Sequence, residues 1–243
     1  MKYLTIFCLL LSLNTHAQVD DSIYTGSIFR KADGLLIDLG LGYSECYGND
    51  IRKWSSSIGH PLGSPSQLLF NFDINGIINN YIIKFGLNIA ANFQTSTGPT
   101  YISTGLDFGY AAIIHPKLIL LPTIGCYYTN TELNFHDDRP SLLKNIKEVP
   151  FGKDALLYQS GIAIHPGFKL CYFPNPKNLL FLSISGYTMV NAYLFDWQYG
   201  YKYQNGKYVN YETNPVHQLN PQSSTSSWGL LAGIGIGRLT KAN

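Results

Sequence analysis

Three aspartates, two lysines and a histidine stand out because they interrupt runs of apolar or small residues: Asp38, Asp73, Lys84, Asp107, His165 and Lys169. Gathered away from water, these groups could relay protons or ions, or hold a buried catalytic acid–base pair. They could also neutralise one another, because a desolvated charge is too costly to stand without a partner. Three acids against two lysines and a histidine suit this second use, so a mutually paired plug is the expected arrangement.

Other chemistry-bearing residues are less ordered. His136-Asp137-Asp138, with His60 and His217 in other segments, are metal- or acid–base-capable types, but no spacing among them fixes a site. Ser55-Ser56-Ser57 near His60 would permit lipid hydrolysis or acyl transfer without arguing for either. The chain has no Gly-x-Ser-x-Gly and no His-Glu-x-x-His. No catalytic residue, metal ligand or cofactor is expected.

The elements that position the six groups are strands. In "YIIKFGLNIAANF", residues 81–93, Tyr81, Ile83, Phe85, Leu87, Ile89, Ala91 and Phe93 share one face, with Ile82, Lys84, Gly86, Asn88, Ala90 and Asn92 on the other. Eight segments alternate in this way: 34–43, 67–75, 80–93, 100–113, 118–128, 156–172, 179–190 and 228–239. Each is about the length a tilted strand needs to cross a bilayer. Only 141–147 suggests a turn of helix, and no apolar run after residue 17 is long enough for a helical span. Connections are short at Asn75-Gly76 (a hairpin signal), 115–117 and 174–178. They are longer at 44–66, 94–99, 129–155 and 191–227.

One strand face is small: Gly40, Gly42, Gly86, Ser103, Gly105, Gly109, Gly125, Gly161, Ala163, Gly233 and Gly235. That suits the crowded inside of a narrow barrel. The other carries Leu35, Leu39, Phe70, Leu106, Phe108, Ile162, Phe168, Leu230 and Ile234. Five strand charges (Asp38, Asp73, Lys84, Asp107, Lys169) take the small face, and only Arg238, near a strand end, takes the oily one. A basic side chain facing lipid at mid-bilayer costs about 2–4 kcal/mol, which explains the segregation. Tyr81, Tyr101, Tyr128, Tyr172 and Trp228 fall near strand ends, where aromatic girdles belong. The oily face is therefore expected to point outward, into a bilayer.

Composition agrees. Charged residues are 13% of the chain and its formal charge is +2, with no basic stripe for nucleic acid. Met1-Lys2-Tyr3, the apolar run 4–13 and the small residues Thr15 and Ala17 predict a signal peptide over 1–17, cut before Gln18. That leaves one barrel domain, 18–243. Its cysteines, Cys46, Cys126 and Cys171, form no disulfide framework, although one bridge stays open.

In this pattern of strands, short turns and long loops the chain resembles the small eight-stranded outer-membrane β-barrel proteins of Gram-negative bacteria, of OmpA/OmpX type. The resemblance implies an all-β, antiparallel, up-and-down transmembrane barrel in the outer membrane, with both termini and the short turns in the periplasm. Outer-membrane lipid and lipopolysaccharide would be its surroundings. One departure is the ending, Leu239-Thr240-Lys241-Ala242-Asn243, where such barrels usually finish on an aromatic residue.

The last loop, "DWQYGYKYQNGKYVNYE" (196–212), sets Asn205-Gly206 between tyrosine-rich runs, as in a hairpin. Trp197, Tyr199, Tyr201, Tyr203, Tyr208 and Tyr211 would suit recognition of an extracellular protein or glycan. They would equally suit packing on one another, or two further wall strands, making ten. The expected role is non-enzymatic: a filled barrel with long loops for structure or surface interaction. A narrow pore or export-associated barrel, and an outer-membrane enzyme acting on lipids, are the alternatives.

Overall fold

The computed structural model describes residues 32–45, 66–91, 100–115, 117–135, 155–175, 179–195, 198–201 and 227–241. Alternating sequence becomes ten strands: β1 (Ala32–Glu45), β2 (Ser66–Ile78), β3 (Tyr81–Ala91), β4 (Thr100–Tyr110), β5 (Ala112–His115), β6 (Leu118–Phe135), β7 (Ala155–Tyr172), β8 (Leu180–Leu194), β9 (Gln198–Tyr201) and β10 (Ser227–Lys241). Strands β4 and β5 form one wall position. Each wall strand pairs antiparallel with its neighbours, and the β6–β7 and β10–β1 ladders close the ring at eight positions.

The stagger can be followed residue by residue. Gly34 pairs with Ile77, then Ile82, Gly109, Thr123, Gly167, Tyr187 and Gly229, and the line returns to β1 at Ser44. One circuit thus climbs ten residues, from 34 to 44. For eight strands with ordinary spacing and rise, this sets a tilt of roughly 40° and a radius of about 8 Å. A tube this narrow is filled by its own side chains.

Two interruptions of the ladders trace to proline. The β4–β6 ladder stops at Gly109↔Thr123, beside Pro122, which has no N–H to donate, and the wall resumes as β5 after Ala111. The β7–β8 ladder skips from Ile164↔Val190 to Gly167↔Tyr187 around Pro166.

The first hairpin turn is not at Asn75-Gly76, which lie inside β2. It is at Asn79-Asn80, whose φ angles of 51° and 70° give the left-handed pair a two-residue turn needs. Asn80 also ties neighbours together: its side-chain oxygen accepts from the Ala32 N–H at 2.6 Å, and its carbonyl from the Ala111 N–H at 2.7 Å.

Strands β6 and β7 pair beyond the 128 limit expected for the fifth segment, up to Phe135↔Ala155. Strand β9 pairs with the same end of β7, Ala155–Tyr158, continuing the line of β8 after a break. The wall therefore has eight positions rather than ten, with β9 as an extension along β7. Asn205-Gly206 lies outside the described residues.

Outside, the belt is apolar. Leu39 is 62% exposed, Ile124 59%, Ile184 59% and Ile234 57%. Tyr81, Tyr110 and Tyr172 mark the turn end; Tyr43, Tyr128, Tyr193 and Trp228 mark the loop end. From Ile162, paired with Tyr128 and Tyr193, strand β7 runs ten residues to Tyr172, a height of about 25 Å at this tilt. Tyr101 departs from the expected girdle. It is buried in the lumen with its hydroxyl against the Met189 sulfur at 2.7 Å.

Candidate functional site

Inside the barrel, two apolar layers lie above and below a polar one. Toward the turns, Leu36, Ile77, Ile82, Ile119, Leu121 and Phe181 form one cluster. Toward the loops, Leu69, Tyr101, Tyr127, Tyr187, Met189 and Leu231 form the other. Between them sit all six polar residues singled out in the sequence, each at most 8% exposed.

Their contacts alternate acid with base. Lys169 Nζ donates to Asp38 Oδ1 and Oδ2 at 2.7 and 2.8 Å, and to Asp73 Oδ2 at 2.5 Å. Lys84 Nζ lies 3.8 Å from Asp73 Oδ2 and 2.6 Å from Asp107 Oδ2. His165 Nδ1 meets Asp107 Oδ1 at 2.9 Å; because an ionised carboxylate only accepts, that nitrogen carries the proton. The order is Asp38, Lys169, Asp73, Lys84, Asp107, His165.

Neutral groups fill the remaining lone pairs. Ser183 Oγ donates to Asp38 at 3.1 Å, Asn71 Nδ2 to Asp73 at 2.9 Å and Tyr127 OH to Asp107 at 3.0 Å. Asn71 and Asn88 continue the network to Ser103. His165 is held between Tyr127 and Tyr187, with ring centroids 4.1 and 4.8 Å away.

Glycine makes this arrangement fit. Gly125 lies on β6 between Asp107 on β4 and His165 on β7, in one register line. A Cβ there would stand 2.2 Å from Asp107 Oδ1. At Gly86 a Cβ would meet the Tyr127 hydroxyl at 2.1 Å, closing the space through which that ring reaches Asp107. The small inward face is thus the negative of the network's shape.

Sequence reading missed Tyr127 and Tyr187. Tyr127 was legible, since it continues the Thr123, Gly125 parity of the inward face. Leu36 and Ile77 were legible in the same way, and Ile82 lies inward on the face where its parity with Lys84 puts it.

Chemically, each carboxylate is saturated by at least two donors, and the apolar layers separate it from both ends. This suits mutual neutralisation. Among the described residues, no cluster of His, Cys, Asp or Glu has the form of a metal site. Cys126 is exposed on the outer face and Cys171 is buried inside, so these two form no bridge. Cys46, Ser55-Ser56-Ser57, His60, His136-Asp137-Asp138, His217, Trp197, Tyr203, Tyr208 and Tyr211 lie outside the described residues. Tyr199 and Tyr201 fall on β9.

No family model matches the chain, and no curated protein matches it by sequence. Solved structures do match. A major outer membrane protein from Thermus thermophilus superposes with a TM-score of 0.53 at 11% identity, covering 85% of this chain and 98% of that one. The chain folds as a small eight-stranded outer-membrane barrel. Neisserial surface protein A matches this barrel with a TM-score of 0.49 at 10% identity, over 84% of this chain and 97% of its own. Ail, the attachment invasion locus protein of Yersinia pestis, matches it with a TM-score of 0.46 at 11% identity, over 84% and 98%. At these identities the likeness concerns fold.

Proposed function

We propose that this protein is a non-enzymatic outer-membrane barrel whose lumen is a sealed plug and whose working surface is its loop end. The observation that carries the reading is the layered interior: a neutralised ionic network between two apolar clusters, inside a wall whose outer belt is apolar. Such a belt is stable only against lipid. In this reading the short turns at 79–80 and 115–118 face the periplasm after export behind a cleaved signal peptide over residues 1–17.

Support for a surface role comes from the wall itself. Strands β6, β7 and β9 extend past the Tyr128 rim, forming a stem for the segments that follow. Recognition of an extracellular protein or glycan by Trp197, Tyr199, Tyr201, Tyr203, Tyr208 and Tyr211, beside lipopolysaccharide, belongs to the same proposal. Two measurements test it. The protein extracted from outer-membrane fractions should migrate differently on gels before and after boiling. Purified protein in planar bilayers should show no sustained conductance; steady single-channel currents would overturn the sealed lumen.

A further inference from the structure

We propose that a groove on the outer wall seats one acyl chain of a phospholipid whose phosphate is held by Arg238. The inference rests on the membrane-spanning reading above and adds a defined lipid site to it. The groove runs from β10 across β1 and β2 to β3 and has a volume of about 560 Å³. Clefts that take small molecules have roughly 300–1,000 Å³. The floor is bare because Gly40 pairs with Gly233 there, and because Ala232 is the smallest side chain of the outward row Leu230, Ala232, Ile234 and Ile236. Leu39, Leu41, Phe70 and Phe72 surround that floor.

Charge selects the end at which the headgroup sits. Arg238 continues the same outward row toward the turns and is exposed. A guanidinium presents a fork of donors that matches a phosphate. At the loop end of the same strand pair stands an acid, Glu45, which accepts from Trp228 Nε1 at 3.0 Å. A phosphate is disfavoured there and favoured at Arg238. Asp33, also at the turn end, is drawn to the turn itself, where its Oδ1 accepts from the Asn79 N–H at 2.7 Å.

Length agrees. Arg238 and Ala232 lie on one strand, six residues apart. At about 3.3 Å per residue and a tilt of roughly 40°, they differ in height by about 15 Å. That is the depth of one leaflet, half of a hydrocarbon core of roughly 30 Å. A lipid anchored at Arg238 therefore brings the end of its chain to the groove at mid-membrane. A second copy of the barrel suits the site less well. Its strand acids Asp38, Asp73 and Asp107 are all buried in the lumen, so its belt brings the guanidinium no counter-charge.

The test is native mass spectrometry of the full chain, refolded in detergent micelles and titrated with palmitoyl-oleoyl phosphatidylglycerol. One lipid should stay bound when the detergent is stripped away. Arg238→Gln should weaken retention about tenfold, the loss of one charge-assisted hydrogen bond. Ala232→Phe, which fills the groove, should abolish it. Ile124→Phe, on the exposed outer face of β6, should leave it unchanged. The heat-dependent gel shift reports folding of each protein, and if one groove variant does not fold the other decides. A parent barrel that shifts on heating but keeps no lipid overturns this proposal alone, as does equal retention in a folded groove variant. A parent that shows no shift overturns the barrel reading and the lipid site together. If Ala232→Phe instead converts a dimer to monomer, the groove is an interface between copies and the lipid proposal falls.

Discussion

Lys169 on β7 grips both carboxylate oxygens of Asp38 on β1, at 2.7 and 2.8 Å, across 131 positions of the chain. The same ammonium serves Asp73, so one cation holds two acids together. Lys169→Met should cost about 3–5 kcal/mol, because it leaves buried acids without their counter-charge. Adding Asp38→Asn should recover part of that loss. Urea unfolding of the refolded barrel in lipid vesicles measures both; additive losses would show that the pair is not coupled.

Glycines on opposite faces of the wall, Gly125 inward and Gly76 outward beside Leu35 and Ile83, separate space from backbone freedom. Gly125→Ala should destabilise by about 1–3 kcal/mol, through overpacking against Asp107. Gly76→Ala, where the nearest atom to a new Cβ is the Ile83 carbonyl oxygen at 3.7 Å, should stay within about 0.5 kcal/mol of the parent. Equal effects at the two positions in parallel unfolding curves would contradict this account.

The apolar belt predicts a position-dependent penalty. Leu39→Arg, on the outward face at mid-height, should cost about 2–4 kcal/mol in vesicles. Arg238 already stands on that face near a rim, paired with Leu35, and Arg238→Leu should change stability little. Folding yields that respond alike to both substitutions would argue against lipid on this face.

The two asparagines of the first turn should respond differently. Asn79→Gly keeps an easy positive φ and the backbone N–H that donates to Asp33 at 2.7 Å, so it should be tolerated. Asn80→Gly keeps the backbone but loses the acceptor for the Ala32 N–H, leaving a buried donor unpaired at a cost of about 1–3 kcal/mol. Thermal or urea unfolding of the two variants makes the comparison.

Period-two patterning made the eight wall positions legible, because one-sided burial forces every second residue to a common face. The charges were legible for the same reason: parity put Asp38, Asp73, Lys84, Asp107 and Lys169 on the inward side. Turn placement was harder. Asn75-Gly76 carries a strong local signal, but Asn75 is needed inside the barrel and the ladder continues to Ile78↔Tyr81. Tyr101 was assigned to a girdle from its distance along the strand, whereas its parity sends it inward. The reach of β6 to Phe135 was hidden because "TNTELNF" has no lipid-facing alternation. Its pairing with β7 holds it instead.

The alternating chain of acids and bases has a consequence for assembly. Asp38, Asp73, Lys84 and Asp107 come from β1 to β4, but Lys169 and His165 arrive only with β7. A half-made sheet of the first four strands carries three acids against one lysine, with nothing to cover the excess. Strand-by-strand entry into lipid would therefore strand bare carboxylates in an oily medium. Closing only after β7 has delivered its cation would spare the three acids that cost.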